Sequence, residues 1–165
     1  MGLLTFIKEA GEKLFGKREA HAAAPGAPAS AAPDPAAANR AAADAILGYI
    51  KAQNLPAIGL TVTFDGASGT VKVAGSIPDQ ESKEKVVLCC GNVEGVEHVE
   101  EEIIVETVEP EAEFYTVVKG DNLSKISKMH YGDPNKYMTI FEANKPMLKH
   151  PDKIYPGQML RIPRL

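Results

Sequence analysis

Residues 20–38 cannot supply a hydrophobic core, and this limits where folded domains can lie in the chain. Eleven of these nineteen residues are alanine and four are proline. Proline interrupts a helix, and alanine offers little apolar surface for packing. The tract therefore predicts an Ala/Pro-rich linker that separates an N-terminal segment, residues 1–19, from the rest of the chain.

The segment before this linker predicts a short amphipathic helix over residues 2–15. Its apolar residues recur at intervals of three and four: Leu3, Phe6, Ile7, Ala10 and Leu14. Because so short a helix is marginally stable alone, we expect its apolar face to pack on the body of the protein. The alternative is a helix bound to a membrane surface, but the mixed charges on its polar side argue against this.

The same segment lacks the features of an export signal. Its apolar residues are interrupted by Lys8 and Glu9, and no basic segment precedes them. No run approaches the roughly 18 apolar residues that a membrane-spanning helix needs. We therefore expect a cytoplasmic monomer with no membrane insertion.

Charge is unevenly distributed along the 165 residues. The net charge of −4 gives no reason to expect a nucleic acid partner. Residues 1–113 carry 9 Lys and Arg against 18 Asp and Glu, whereas residues 114–165 carry 9 against 4. Opposite net charges predict two domains that attract one another, with salt weakening any contact between exposed charges.

The cysteines and histidines do not form a pattern typical of a catalytic or metal site. Cys89 and Cys90 are adjacent, which would strain a disulfide and does not match a metal-ligand spacing. We predict that they are small apolar residues near the end of a helix. The histidines lack ligand spacing, and the nucleophile elbow, phosphate loop and dinucleotide fingerprint are absent. The sequence thus predicts a protein that is not an enzyme and has no catalytic residues.

Residues 39–108 predict a helix, two strands, a second helix and a third strand. The first helix begins at Asn39 or Asp44, and alternating apolar and threonine residues at 60–64 indicate a strand. A turn at 65–69 leads to the returning strand. Residues 75–78 predict a loop, residues 80–88 a helix and residues 99–108 a strand. The second helix is expected to expose Glu81, Lys83, Glu84 and Lys85.

Two stretches in this region resemble a BON domain. They are Val71-Lys72-Val73-Ala74-Gly75 before the second helix and Gly91-Asn92-Val93-Glu94-Gly95-Val96-Glu97-His98-Val99 after it. The resemblance covers residues 39–108 and implies a sheet with two helices on one face. An acidic linker, residues 109–113, follows.

Residues 114–165 predict a strand, two helices and a closing strand. The stretch 115–127 is typical of strand, turn and helix, with Leu123, Ile126 and Met129 forming the buried face of that helix. A second helix at 135–144 directs Tyr137, Ile140 and Phe141 inward. Residues 154–163 predict a turn and a strand. This region resembles a LysM domain, so the expected fold class is α+β with two small domains, BON and LysM.

The LysM resemblance implies an alternative function, glycan binding. Many LysM domains bind N-acetylglucosamine-containing glycans between the first turn and the loop before the last strand. The matching residues here are Gly120, Asp121, Asn122, Leu123, Ile154, Tyr155, Pro156 and Gly157. The same residues also cap a helix and form turns, which is a structural role. With no export signal, we expect cell-wall glycan, such as peptidoglycan, to be out of reach.

The whole chain resembles the cytoplasmic potassium-binding BON–LysM family. The matching stretches are Met1-Gly2-Leu3 with Ala10-Gly11-Glu12-Lys13-Leu14, residues 141–149 and residues 151–157. The chain departs from the family pattern in its long linker and in Cys89-Cys90. The resemblance implies K⁺ as the bound ion and a role as a potassium sensor that changes its domain arrangement on binding. A stress-related adaptor that binds another protein is a third interpretation.

The implied potassium site is a cage of main-chain carbonyl groups. By resemblance, the ligands are the carbonyls of Ile7, Ala10 and Glu12 near Gly11, together with those of Gly91, Val93 and Gly95. Neutral carbonyls suit K⁺, whereas Ca²⁺ recruits carboxylates. The glycines of residues 91–95 have an alternative interpretation, since glycine often ends a helix.

An acidic run offers a competing ion site. It consists of Glu97, Glu100, Glu101 and Glu102. Neighbouring side chains on a strand point to opposite faces, so these carboxylates cannot all surround one ion. We expect a solvated acidic edge that discourages aggregation between strands rather than a calcium site.

Overall fold

The computed structural model describes residues 2–5, 35–56 and 58–165, with the backbone alone described for residues 2–5. Its elements are β1 (Gly2–Thr5), α1 (Pro35–Ala52), β2 (Ile58–Asp65), β3 (Thr70–Asp79), α2 (Gln80–Gly91), β4 (His98–Thr107), β5 (Glu113–Thr116), α3 (Leu123–Tyr131), a 3₁₀ turn (Pro134–Lys136), α4 (Tyr137–Ala143) and β6 (Met159–Ile162). The order of helices and strands from α1 onward confirms the predicted α+β fold class.

A four-stranded sheet in the order β1-β4-β3-β2 forms the first domain. β3 and β4 run parallel, and the other neighbours are antiparallel. The helices pack on this sheet, α1 against β2 and α2 against β3 and β4. Ile46, Val71, Val86 and Val99 are fully buried between helices and strands. As predicted, two helices cover one face.

The first strand corrects the prediction of a helix over residues 2–15. Residues 2–5 pair with β4 instead, with Gly2 opposite Glu101 and Thr5 opposite His98. Without β1, that side of β4 would expose unpaired backbone N–H and C=O groups. Pairing satisfies these groups, and the helical alternative was marginal on its own. Residues 6–15 of the predicted helix lie outside the described residues, as does the linker up to residue 34.

Two other boundaries also differ from the prediction. α1 begins at Pro35, inside the predicted linker, because proline fits the first turn of a helix, where its missing N–H is not needed. Residues 75–78 are not a loop, because β3 continues to Asp79 and pairs with β4 as far as Thr107. Glycine at position 75 lets β3 continue close to β2, since a Cβ there would lie only 2.7 Å from Leu60 Cδ2.

α2 buries both cysteines near its end, which confirms the predicted environment. The helix begins at Gln80 and is capped by Asp79, whose carboxylate accepts a hydrogen bond from the Ser82 N–H at 2.8 Å. Cys89 and Cys90 are free thiols and fully buried. Burial raises the pKa of the Cys89 thiol to about 12 and raises that of Cys90 as well.

We expect the native protein to react with a thiol reagent at pH 8 at least about a hundredfold more slowly than the denatured protein. The thiolate is the reactive species, and burial both suppresses its formation and blocks access. Counting labelled thiols by mass spectrometry, with and without denaturant, measures the ratio. Equal rates in the two states would contradict the burial of Cys89 and Cys90.

The second domain packs α3 and α4 against the two-stranded sheet β5-β6. Ile126, Ile140, Leu160 and Ile162 form its core. The sequence left Asp121 and Asn122 as alternative caps of α3. The structure assigns Asn122, whose side chain accepts a hydrogen bond from the Lys125 N–H at 2.8 Å.

Met129 corrects the predicted inner face of α3, because it is 61% exposed. The inward position belongs to Ser127, which is fully buried and donates a hydrogen bond to the Asp133 carbonyl at 2.6 Å. α3 ends within one turn of Met129, at Tyr131, and Gly132 is its C-cap.

Candidate functional site

The loop of residues 91–95, predicted to bind the ion, starts where α2 ends. The carbonyls of the last helical turn lack partners within the helix, and the helix dipole is negative at this end. Gly91 is the last residue of α2, and the Asn92 N–H donates to the Leu88 carbonyl at 2.9 Å. The position therefore favours a cation electrostatically.

Buried side chains and a glycine hold this loop in place. Val93 and Val96 are fully buried, and the Val93 carbonyl accepts a hydrogen bond from the Val96 N–H at 3.1 Å. Gly95 has φ +97°, which residues with a side chain rarely adopt. The predicted ligands Gly91, Val93 and Gly95 thus lie in one loop with a defined backbone.

The turn between β2 and β3 supports the loop from the other side. The Gly69 carbonyl accepts hydrogen bonds from the N–H groups of Glu97, at 2.7 Å, and His98, at 3.2 Å. A Cβ at Gly69 would lie 3.0 Å from the Gly95 carbonyl oxygen. Because Gly69 has no side chain, the Gly95 carbonyl can lie close to the backbone at this position.

β1 brings the N-terminal segment to the same end of the sheet. Thr5 lies opposite His98, three residues after Gly95, and the two strands are antiparallel. β1 therefore ends at the end of the sheet where the 91–95 loop enters it. The other predicted ligands, Ile7, Ala10 and Glu12, lie outside the described residues.

The acidic run of β4 does not lie at a sheet edge, which corrects the sequence interpretation. β4 is flanked by β1 and β3. Two of its carboxylates form ion pairs, Glu101 with Lys83 at 3.0 Å and Glu102 with Lys72 at 2.9 Å. Among the described residues, no group of three or more His, Cys, Asp or Glu side chains could hold a metal ion. The described residues therefore give no support to a calcium site formed by these glutamates.

The same loop also contacts the second domain. The Asn92 amide donates a hydrogen bond to the Met159 carbonyl at 2.9 Å and accepts one from the Met159 N–H at 3.0 Å. The Met159 side chain belongs to the core of the first domain, where Phe114 and Met147 also pack. The interface therefore combines apolar burial with a paired amide.

A buried ion pair lies beside this contact and corrects the prediction that Glu84 is exposed. The Glu84 carboxylate accepts a hydrogen bond from the Arg161 Nε–H, and the two side chains are 4% and 9% exposed. Glu84 also accepts hydrogen bonds from the Gln80 side chain at 3.0 Å and from the Ala112 N–H at 2.9 Å. The predicted attraction between the domains thus centres on Arg161, which pairs with the buried Glu84 and also lies 3.9 Å from the carboxylate of the more exposed Glu81.

The two loops predicted to bind glycan lie side by side. The Gly157 N–H donates to the Val117 carbonyl, and the Val117 N–H donates to the Gln158 carbonyl, each at 2.8 Å. The Asp121 carboxylate accepts hydrogen bonds from the Tyr115 hydroxyl and the Val118 N–H. The hydrogen bond to Asp121 raises the pKa of Tyr115. The structure therefore brings the loops together and uses the Asp121 side chain within the turn.

The other members of that predicted set divide between turn, cap and core positions. Gly120 and Gly157 have φ of +92° and +89°, and Leu123 is buried in the domain core. Ile154 packs against the same core, and the Tyr155 N–H donates to the Gln158 side chain at 3.2 Å. Pro156 is exposed, as is Asn122, the cap of α3.

Comparisons with known proteins agree with this architecture. The BON domain family matches residues 33–107, and the LysM domain family matches residues 115–163. The potassium binding protein Kbp of Escherichia coli O6:H1 is 42% identical over 167 residues, which span 99% of each chain. The chain belongs to the Kbp family.

A second relative resembles only part of this Kbp-family chain. It is an uncharacterized protein of Deinococcus radiodurans, 51% identical over 49 residues, which cover 30% of this chain and 19% of the relative. Within the described residues, no helix is long and apolar enough to cross a membrane.

Asn92, Glu84 and Arg161 were missed as functional candidates by sequence reasoning. Asn92 lies among glycines and is typical of a turn, while Glu84 and Arg161 carry charges that usually face solvent. The one available signal was the opposite net charge of the two halves of this Kbp-family chain. That signal predicts contact but names no residue.

Proposed function

We propose that this protein binds K⁺ reversibly through main-chain carbonyls of the N-terminal segment and the 91–95 loop. The proposed ligands are the carbonyls of Ile7, Ala10, Glu12, Gly91, Val93 and Gly95. The supporting observation is the pairing of β1 with β4, which places Thr5 opposite His98. Ile7 follows Thr5 by two residues, which span at most about 7 Å, so it is the first of the proposed N-terminal ligands along the chain. The similarity to a potassium binding protein over 99% of the chain supports the same ion.

The proposed chemistry is ion coordination without catalysis. Carbonyl oxygens at the end of α2 carry partial negative charge and no formal charge, which suits a large monovalent ion that must shed its water. Small divalent ions hold their water more strongly and favour carboxylate ligands. Selection of K⁺ over Ca²⁺ is the expected result.

We further propose that the protein acts as a cytoplasmic potassium sensor. An ion that bridges the N-terminal segment and the loop would favour the state in which the N-terminal segment is docked on the BON domain. The ligand shifts that equilibrium only by its difference in affinity between the docked and undocked states. The arrangement of the LysM domain would change because its strand β6 contacts the same loop.

Titration with KCl tests this function directly. We expect tyrosine fluorescence or heat to saturate with KCl but not with NaCl, CaCl₂ or choline chloride at matched ionic strength. At about 100 times its Kd, K⁺ should raise the free energy of unfolding by about 2.7 kcal/mol. Small-angle scattering in KCl and in choline chloride should give different radii of gyration. Identical responses to all four salts would overturn the proposal.

Glycan binding by the LysM domain is the second candidate. It is supported by the family match and by the hydrogen bonds that join Val117, three residues before Gly120, to Gly157 and Gln158. The expected result is retention of the wild-type protein on insoluble peptidoglycan or chitin, with weaker retention of Tyr155→Ala. Absence of retention would leave potassium binding, with a stress-related protein adaptor as the remaining alternative.

A further inference from the structure

We propose that the Asn92 side chain is a positioning residue that couples the ion-binding loop to the LysM domain. It would set the affinity for K⁺ without contacting the ion, because it fixes the loop to strand β6. This inference rests on the proposed potassium site in residues 91–95. It adds a residue and a physical link that the proposed ligand set does not contain.

The first support is the way in which Asn92 completes the LysM sheet. That sheet has two strands, and its register leaves the backbone of alternate β6 residues facing away from β5. Asn144 satisfies one of these residues, since its amide exchanges two hydrogen bonds with Arg161, both at 2.8 Å. Asn92 does the same for Met159 at 2.9 and 3.0 Å. Asn144 belongs to the LysM domain, whereas Asn92 belongs to the BON domain.

The second support is the position of Asn92 between two proposed ligands. The Gly91 carbonyl shares a planar peptide unit with the Asn92 N–H, so the two point in opposite directions. That N–H is fixed on the Leu88 carbonyl at 2.9 Å. A side chain that anchors the Asn92 Cα to β6 therefore also restricts the direction of the Gly91 carbonyl.

The third support is the shared core beneath the contact. Met159 packs in the same cluster as Val93 and Val96, the two buried residues that hold the loop. Withdrawal of β6 would remove both the amide pair and this apolar contact. The hydrogen bonds between Asn92 and Met159 and the packing of Met159 beside Val93 and Val96 thus link docking of the LysM domain to the geometry of the loop.

Such a link must act in both directions. If docking of β6 strengthens K⁺ binding, K⁺ must strengthen docking by the same factor. We therefore expect K⁺ to slow hydrogen exchange of the Met159 amide more than that of the Arg161 amide. The Arg161 amide is the internal control, because its acceptor, Asn144, lies in its own domain.

The test compares the full-length wild type with Asn92→Ala and Asn39→Ala. Asn39 is a matched control, because its side chain accepts a hydrogen bond from the Gly66 N–H at 3.0 Å within the BON domain. KCl titration should show a Kd raised about fivefold or more in Asn92→Ala and unchanged in Asn39→Ala. The preferential K⁺ protection of Met159 should disappear in Asn92→Ala alone.

The outcomes separate this inference from the proposed function. A wild type that shows no response to K⁺ overturns the potassium site and this coupling with it. A wild type that binds K⁺, beside an Asn92→Ala variant that binds equally well, overturns the coupling alone. If Asn92→Ala does not fold, exchange in the wild type decides the question. Equal K⁺ protection of the Met159 and Arg161 amides would then reject the proposal.

Discussion

Replacement of Arg161 by methionine is expected to lower the free energy of unfolding by about 3–5 kcal/mol. The substitution keeps an unbranched side chain but leaves Glu84 as an uncompensated charge that is only 4% exposed. The two other donors to this carboxylate, from Gln80 and Ala112, are neutral and cannot replace the guanidinium. Urea unfolding followed by circular dichroism measures the loss.

A double variant separates the charge effect from simple loss of contact. Glu84→Gln with Arg161→Met removes both charges, and the glutamine oxygen can still accept from the Ala112 N–H. We expect the double variant to regain more than half of the stability lost in Arg161→Met, because no charge stays buried. Lys72→Met is the matched control for an exposed pair, since Lys72 contacts Glu102 at 2.9 Å in solvent. Its urea midpoint should change little.

A loss in Arg161→Met no larger than that in Lys72→Met would contradict the importance of the buried pair. A double variant less stable than Arg161→Met would show that the geometry of the two side chains, rather than their charge, holds the interface. In the expected case, the pair makes docking of the domains insensitive to moderate salt, because buried charges are poorly screened.

The domain architecture was predictable because it depends on local patterns. Alternation in β2, the turn at 66–69 and the helical spacing of α2 each follow from a few neighbouring residues. The strand–turn–helix start of the second domain was equally clear, although the choice between Asp121 and Asn122 as the helix cap needed the structure. These features do not require knowledge of the partner element.

The failures involve contacts between residues distant in the sequence. β1 had an acceptable helical pattern, yet it pairs with a strand almost 100 residues later. Glu84 is a charged residue on a helix and was therefore expected to face solvent. In the structure it pairs with Arg161, which lies 77 residues away in the sequence. Helical spacing cannot detect either contact, because tertiary partners decide them.

The candidate ion site poses a different difficulty for sequence reasoning. Carbonyl ligands carry no side-chain signature, so the 91–95 loop could be noticed only through its glycines and through the family resemblance. The structure supplies the positive φ of Gly95 and the burial of Val93. Asn92 had no sequence signal at all, because side chains that hold an edge strand can come from any loop.

Replacement of Gly95 by alanine is expected to weaken K⁺ binding about tenfold or more. At φ +97° an alanine costs about 1–3 kcal/mol of backbone strain, which the loop relieves by turning its peptide planes away from the proposed ligand geometry. A loss of about 1.4 kcal/mol in binding corresponds to that tenfold change. The KCl titration measures it, with circular dichroism to confirm the fold.

Gly48→Ala isolates the backbone as the cause of this effect. A Cβ at Gly48 and a Cβ at Gly95 would each find no heavy atom within 4 Å, so neither methyl group creates a clash. Gly48 lies within α1, where alanine is favoured over glycine by about 1 kcal/mol. Gly48→Ala should therefore be at least as stable as the wild type and should bind K⁺ normally. If Gly95→Ala also binds K⁺ normally, the backbone conformation at Gly95 does not shape the site and Gly95 should be removed from the ligand set.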